Sequence, residues 1–141
     1  MRVCVIDGRG GGLGSRLVAG LQSELGPTHN VVALGTNTVA ATAMKQAGAM
    51  QVGVGARAIA DTLPTVDVIV SSLNVVLPGA MLGEVTPEIA RAILDARATK
   101  VLLPLNRARV EIVGSKACTL EALITQSLLR VRSLVSPVRP V

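Results

Sequence analysis

Arg2-Val3-Cys4-Val5-Ile6-Asp7-Gly8-Arg9-Gly10-Gly11-Gly12-Leu13-Gly14-Ser15-Arg16 follows the initial methionine, and this run sets the architecture of the chain. Residues 2–6 read as a strand, and after Arg2 they are apolar and rich in β-branched side chains, the composition of a strand covered on both faces. Five of the seven residues from Gly8 to Gly14 are glycine. An amphipathic pattern over residues 12–25 then reads as a helix, stopped by Gly26-Pro27. A strand that turns through glycines into a helix makes an anion-binding corner. Glycine lets the backbone come close to a ligand, and the first N–H groups of the helix have no partner within it. Gly8, Arg9, Gly10, Gly11, Gly12, Leu13, Gly14, Ser15 and Arg16 are therefore the primary candidate site, with phosphate on the N–H groups from Gly12 to Arg16. A carboxylate beside a phosphate is repulsive unless it is compensated, so Asp7 is expected to cap N–H groups of the loop itself.

Beyond this corner, apolar strands alternate with helical patterns, the signature of βαβ units on a parallel sheet. Strands are expected at residues 30–34, 51–54, 66–71 and 100–103, and a sixth at 110–113. Helical patterns cover residues 38–46 and 57–62, and a further helix runs from Pro87 to about residue 96 with Thr86 as N-cap. The last helix spans 119–135, with Leu120, Leu123, Ile124, Leu128, Val131 and Val135 on one face. The fold class is α/β: three layers around a mostly parallel sheet of five to six strands. Residues 1–135 read as one domain, and 136–141, with two prolines, as a flexible tail.

At the ends of these strands lie further candidates. Gly35, Thr36, Asn37 and Thr38 follow the second strand, Asn74 the fourth and Asn106 the fifth. In an open α/β sheet the C-terminal edge forms the ligand crevice, so three asparagines there belong with the glycine corner. Glu84 and Glu111 are candidate acid/base groups for which the sequence names no partner. The apolar stretch 73–82, containing Pro78 and Gly79, suggests either an oligomer contact or a lid over the ligand.

Composition narrows the function. The chain of 141 residues contains no Phe, Tyr or Trp, so aromatic platforms for nucleic-acid bases are impossible. Its formal net charge is +5, but the basic residues are scattered, which argues for a small anionic ligand rather than nucleic acid. Half the residues are hydrophobic and mean hydropathy is +0.56, yet no apolar run approaches the ~20 residues that span a bilayer. These features together suggest a cytoplasmic protein, no membrane partner, and a homo-oligomer, taken as a dimer. Cys4 and Cys118 lack metal or redox spacing and read as reduced structural thiols; His29 stands alone, and no metal site is expected.

Two loop families frame the glycine corner. A Walker loop, G-x-x-x-x-G-K-[ST], fails on residues: with Gly14 as its second glycine, the first would have to stand at Arg9, and Ser15-Arg16 would replace Lys-Ser/Thr. The run Gly8-Arg9-Gly10-Gly11-Gly12-Leu13-Gly14 resembles the T-G-x-x-x-G-[IL]-G loop of short-chain dehydrogenases/reductases, with Asp7 for Thr. Asp67-Val68-Ile69-Val70-Ser71-Ser72-Leu73-Asn74 and Glu84-Val85-Thr86-Pro87-Glu88 extend that likeness over roughly the first hundred residues. It implies a Rossmann-like fold and a nucleotide such as NAD(P). The Tyr-x-x-x-Lys pair of that superfamily is missing, as is an acidic residue at the end of the second strand for the ribose hydroxyls, so its hydride-transfer reaction is not implied.

The chain also resembles, over nearly its whole length, a family of small bacterial proteins known only as a domain of unknown function. The resemblance rests on Asp7-Gly8-x-Gly10-Gly11-Gly12-Leu13-Gly14, Leu34-Gly35-Thr36-Asn37, Met81-Leu82-Gly83-Glu84-Val85-Thr86-Pro87, Pro104-Leu105-Asn106 and Glu111-Ile112-Val113-Gly114. It implies a stand-alone Rossmann-like domain and carries no activity. The expected function is binding of a nucleotide or dinucleotide through phosphate; the alternative is a non-catalytic regulatory or assembly subunit that uses the core as a scaffold.

Overall fold

The computed structural model describes residues 1–105 and 109–135. Five strands, β1 (Arg2–Asp7), β2 (Asn30–Gly35), β3 (Gln51–Val54), β4 (Val68–Ser72) and β5 (Thr99–Leu103), form one sheet. Its order is β3-β2-β1-β4-β5, and every pair is parallel. The helices are α1 (Gly12–Leu25), α2 (Thr38–Gln46), α3 (Gly55–Thr62), α4 (Pro87–Asp95) and α5 (Leu120–Val135). Short 3-10 turns at Leu63–Thr65 and Leu73–Val76 bracket β4.

The period-2 geometry of strands divides the core between two layers. From β1, Val3 and Val5 join Leu17, Val18 and Leu21 of α1, Met44 of α2 and Val131 of α5. Cys4 and Ile6, on the opposite face, join Ile59 of α3 and Ile89 and Ile93 of α4. β4 splits likewise, with Val68 and Val70 on the first side and Ile69 on the second. Each fully buried aliphatic side chain of this kind contributes about 1.5–3 kcal/mol relative to exposure. The Cys4 thiol is fully buried; that burial, opposed by the charge of Arg2, pushes its pKa up to about 12. It is therefore a packing group and not a nucleophile.

Local chemistry fixes the helix starts. The Oδ1 of Asn37 accepts the N–H of Ala40 at 2.8 Å and caps α2. The Oγ1 of Thr86 accepts the N–H of Ile89 at 3.2 Å, with Pro87 at the first helical position. For α5, the Oγ1 of Thr119 accepts the N–H of Ala122 at 3.1 Å. α5 packs against α1 and β5 and buries Ile124, Val131 and Val135, while Leu120 lies at its exposed start.

Residues 110–113 do not form a sixth strand: the sheet ends at β5. The run is apolar and β-branched, but no neighbouring strand accepts it, and it closes in a turn at Gly114 (φ 89°) with Val113 98% exposed. The fourth strand begins two residues later than its apolar pattern, because the 3-10 turn Leu63–Thr65 precedes Val66. The tail at 136–141 and Asn106 lie outside the described residues.

Candidate functional site

Asp7 ends β1 and organises the glycine loop. Its Oδ1 accepts the N–H of Gly8 at 2.8 Å and its Oδ2 accepts the N–H of Gly14 at 2.7 Å. One buried carboxylate thus ties the entrance of the loop to the first turn of α1, as expected of a residue capping its own loop. The chain turns by a bond from Gly11 N–H to the Gly8 carbonyl at 2.9 Å, and Ser15 donates both its N–H and its hydroxyl to the Gly11 carbonyl at 2.8 and 2.6 Å. The N–H groups of Gly14 and Ser15, within the range expected to hold phosphate, thus already have acceptors within the chain. Among the described residues, the N–H groups of Gly10, Gly12 and Leu13 have no acceptor.

The five glycines of the loop fall into two groups. A Cβ at Gly8 would lie 2.5 Å from Thr36 Oγ1, at Gly11 2.9 Å from the Ala40 backbone, and at Gly14 2.6 Å from Met44 Sδ. Gly11 also has φ 74°. Packing or conformation requires glycine at all three. Gly10 and Gly12 have neither constraint: a Cβ on either would meet nothing within 4 Å.

The space in front of them is a cavity of about 990 Å³ at the C-terminal edge of the sheet, beside the point between β1 and β4 where strand order reverses. Gly8, Arg9, Gly10, Gly11, Gly12 and Leu13 form one wall, and Arg16 projects from α1. Ser72 and Asn74 line it from the end of β4. Leu77 to Leu82 provide an apolar part of the lining, joined by Leu105, Val110 and Leu120. The stretch suspected as oligomer contact or lid therefore faces the cavity. Asn74 is 6% exposed, and its buried Oδ1 has no partner among the described residues. Arg16 is paired with Glu121 of α5.

The end of β2 lies elsewhere. Gly35 packs against α2, where a Cβ would approach the Ala41 nitrogen and the Asn37 carbonyl to 2.7 Å. Thr36 and Asn37 face Glu84, whose Oε1 accepts from Thr36 Oγ1 at 2.6 Å, Asn37 Nδ2 at 2.7 Å and the Arg9 N–H at 2.9 Å. Burial works to raise the Glu84 pKa, but these three hydrogen bonds and the Arg9 charge outweigh it and hold the carboxyl below its ordinary value. Thr38 is exposed at the start of α2. None of Gly35, Thr36, Asn37 and Thr38 lines the cavity. Glu111 is exposed in the loop before α5. Sequence reasoning missed Ser72, Leu105 and Val110 as lining residues, since nothing in their local pattern separates them from core or loop. Among the described residues, no group of His, Cys, Asp and Glu is placed to hold a metal ion, and no helix is long and apolar enough to cross a membrane.

Among solved structures the chain is similar to a dodecameric FMN-dependent Ubix-like decarboxylase from Escherichia coli O157:H7. The TM-score is 0.54 at 13% identity, covering 100% of this chain and 98% of that one, a likeness that shows the Rossmann-like α/β fold. No match was found among curated proteins. Residues 2–136 match the family described as "Domain of unknown function (DUF3842)", nearly the whole length of the chain, and to that family the protein belongs.

Proposed function

We propose that this domain binds a nucleotide, seating phosphate at the N-terminus of α1 and the rest of the ligand in the adjoining cavity. The observation that carries the reading is the pair Gly10 and Gly12, which the fold does not require to be glycine and which border open space. Three N–H groups there, of Gly10, Gly12 and Leu13, lack an acceptor among the described residues. Backbone donors at a helix start suit a phosphate, and Arg9 adds positive charge at the rim, where Arg16 stands paired with Glu121. The apolar wall from Leu77 to Leu82 suits a ring, and the carboxamide of Asn74 suits its polar edge. The FMN dependence of the structural neighbour supports including flavin nucleotides beside NAD(P) as candidate ligands.

The test is a thermal-shift screen with NAD, NADP, ATP, GTP, FAD and FMN. A binder at about 100 times its dissociation constant stabilises by ~2.7 kcal/mol. The chain has no Trp or Tyr, so the near-ultraviolet absorbance of a co-purified nucleotide stands out clearly. A shift with one of these ligands, lost in Gly12→Val, is the expected result. A silent screen together with a flat spectrum sinks the reading and leaves the scaffold role.

A further inference from the structure

Resting on that reading of the glycine loop, we infer that Glu84 restricts the site to mononucleotides and shuts out dinucleotides. In a doubly wound sheet a dinucleotide straddles the first strand, one half on each side of the glycine loop. Here the β4 side is open as the cavity. The β2 side is closed by the chain itself. Glu84 reaches back from the segment between β4 and α4, and its Oε1 takes the Arg9 N–H, the Thr36 hydroxyl and the Asn37 amide together. Asn37 Nδ2 also donates to the Arg9 carbonyl at 3.0 Å, locking the loop to the cap of α2.

The closure is steric as well as polar. Thr36 Oγ1, Met81 Sδ and Glu84 Oε1 press on the Gly8 backbone so closely that even a methyl group there would lie within 3.0 Å of all three. The segment holding them is set in an uncommon conformation: Met81 and Leu82 both have φ 57°, between Gly79 at 90° and Gly83 at 87°. A dinucleotide protein of this architecture uses a carboxylate at the end of β2 to hold ribose hydroxyls. In this chain β2 ends in Gly35, Thr36 follows it, and the carboxylate beside them comes from Glu84, whose Oε1 is already engaged by three donors of the protein. A second phosphate leaving the glycine loop toward β2 would meet that negative charge. A single phosphate on Gly10, Gly12 and Leu13, with its nucleoside turned toward Asn74, would not.

Calorimetric titration of the intact protein with two matched pairs, FMN against FAD and AMP against NAD, tests this. The expected result is that in at least one pair the mononucleotide binds 100-fold or more tightly than its dinucleotide. Glu84→Ala should cut that ratio at least tenfold, and Thr36→Ala, which removes one donor and the hydroxyl pressed on Gly8, should move it the same way. Glu84→Gln keeps the bulk and an acceptor oxygen and should stay closer to the parent ratio than Glu84→Ala. Ratios below 100-fold in both pairs, or a ratio unmoved in folded Glu84→Ala and Thr36→Ala proteins, overturn the inference while leaving the phosphate seat standing. Failure of all four ligands to bind overturns the phosphate seat itself.

Discussion

Gly12 opens α1 with ordinary helical backbone, and a side chain there would point into open space. Gly12→Val should therefore change unfolding free energy by no more than about 1 kcal/mol, the scale of a helix-propensity difference, while abolishing the ligand-induced thermal shift. Gly14→Val is the contrast. Its side chain would collide with Met44 Sδ and Asp7 Cβ at 2.6 and 2.7 Å, and overpacking of this kind costs roughly 1–3 kcal/mol. Denaturant melts with and without ligand separate the two. Asp7→Ala removes the acceptor of two N–H groups, those of Gly8 and Gly14, and each buried donor left unpaired costs about 1–3 kcal/mol. The midpoint of chemical denaturation should fall markedly; an unchanged midpoint would show that water replaces the carboxylate. The glycine-rich corner was legible because strand, loop and helix are contiguous in sequence. Which glycines serve the fold was not, because the atoms that crowd them, on Thr36, Ala40 and Met44, arrive from elements further along the chain.

Elements with strong local punctuation were read to within a residue or two. α1 ends at Gly26 with φ 71°, α2 begins on an Asn cap, and α4 begins on Thr86-Pro87. The segment between β4 and α4 was not legible, since it has no period and its anchor is tertiary: Glu84 meets Asn37, Thr36 and Arg9 across 47, 48 and 75 residues of sequence. That anchor titrates. The folded-state pKa of Glu84 lies below the ordinary 4.5, so its contribution is fully present above that value and is lost as pH falls through the lowered folded value. Hydrogen exchange of residues 79–85, corrected for intrinsic rates, should show protection that is constant at neutral pH and declines on acidification below 4.5. In Glu84→Gln the acid-dependent loss should disappear. Persistence of the decline in that variant would assign the acid response to another carboxylate.

At the scale of the molecule, the alternation of Val3, Cys4, Val5 and Ile6 between two cores is the reason a short apolar strand specified three layers. The same apolar composition misled at residues 110–113, where β-branched side chains lie in an exposed loop with no strand to pair with. It also left the oligomer surface ambiguous. Of the stretch 73–82 considered for it, Asn74 and residues 77–82 line the cavity, while Leu82 is 85% exposed. Among the described residues, a second apolar surface lies at the outer strand. β3 has a neighbour on one edge only, Val52 and Val54 share a face by strand period, and both are exposed, as is Met50 just before them. A parallel edge strand with unshielded valines is a surface that proteins of this architecture cover. The expected assembly is a homodimer that pairs this face with its copy, the self-complementary contact of a two-fold interface. Light scattering on the intact chain should give twice the chain mass, and Val52→Lys combined with Val54→Lys should return it to the monomer without loss of the cavity or of ligand-induced stabilisation. A monomer at high concentration removes the dimer, and a dimer that survives both lysines places the contact on a different face.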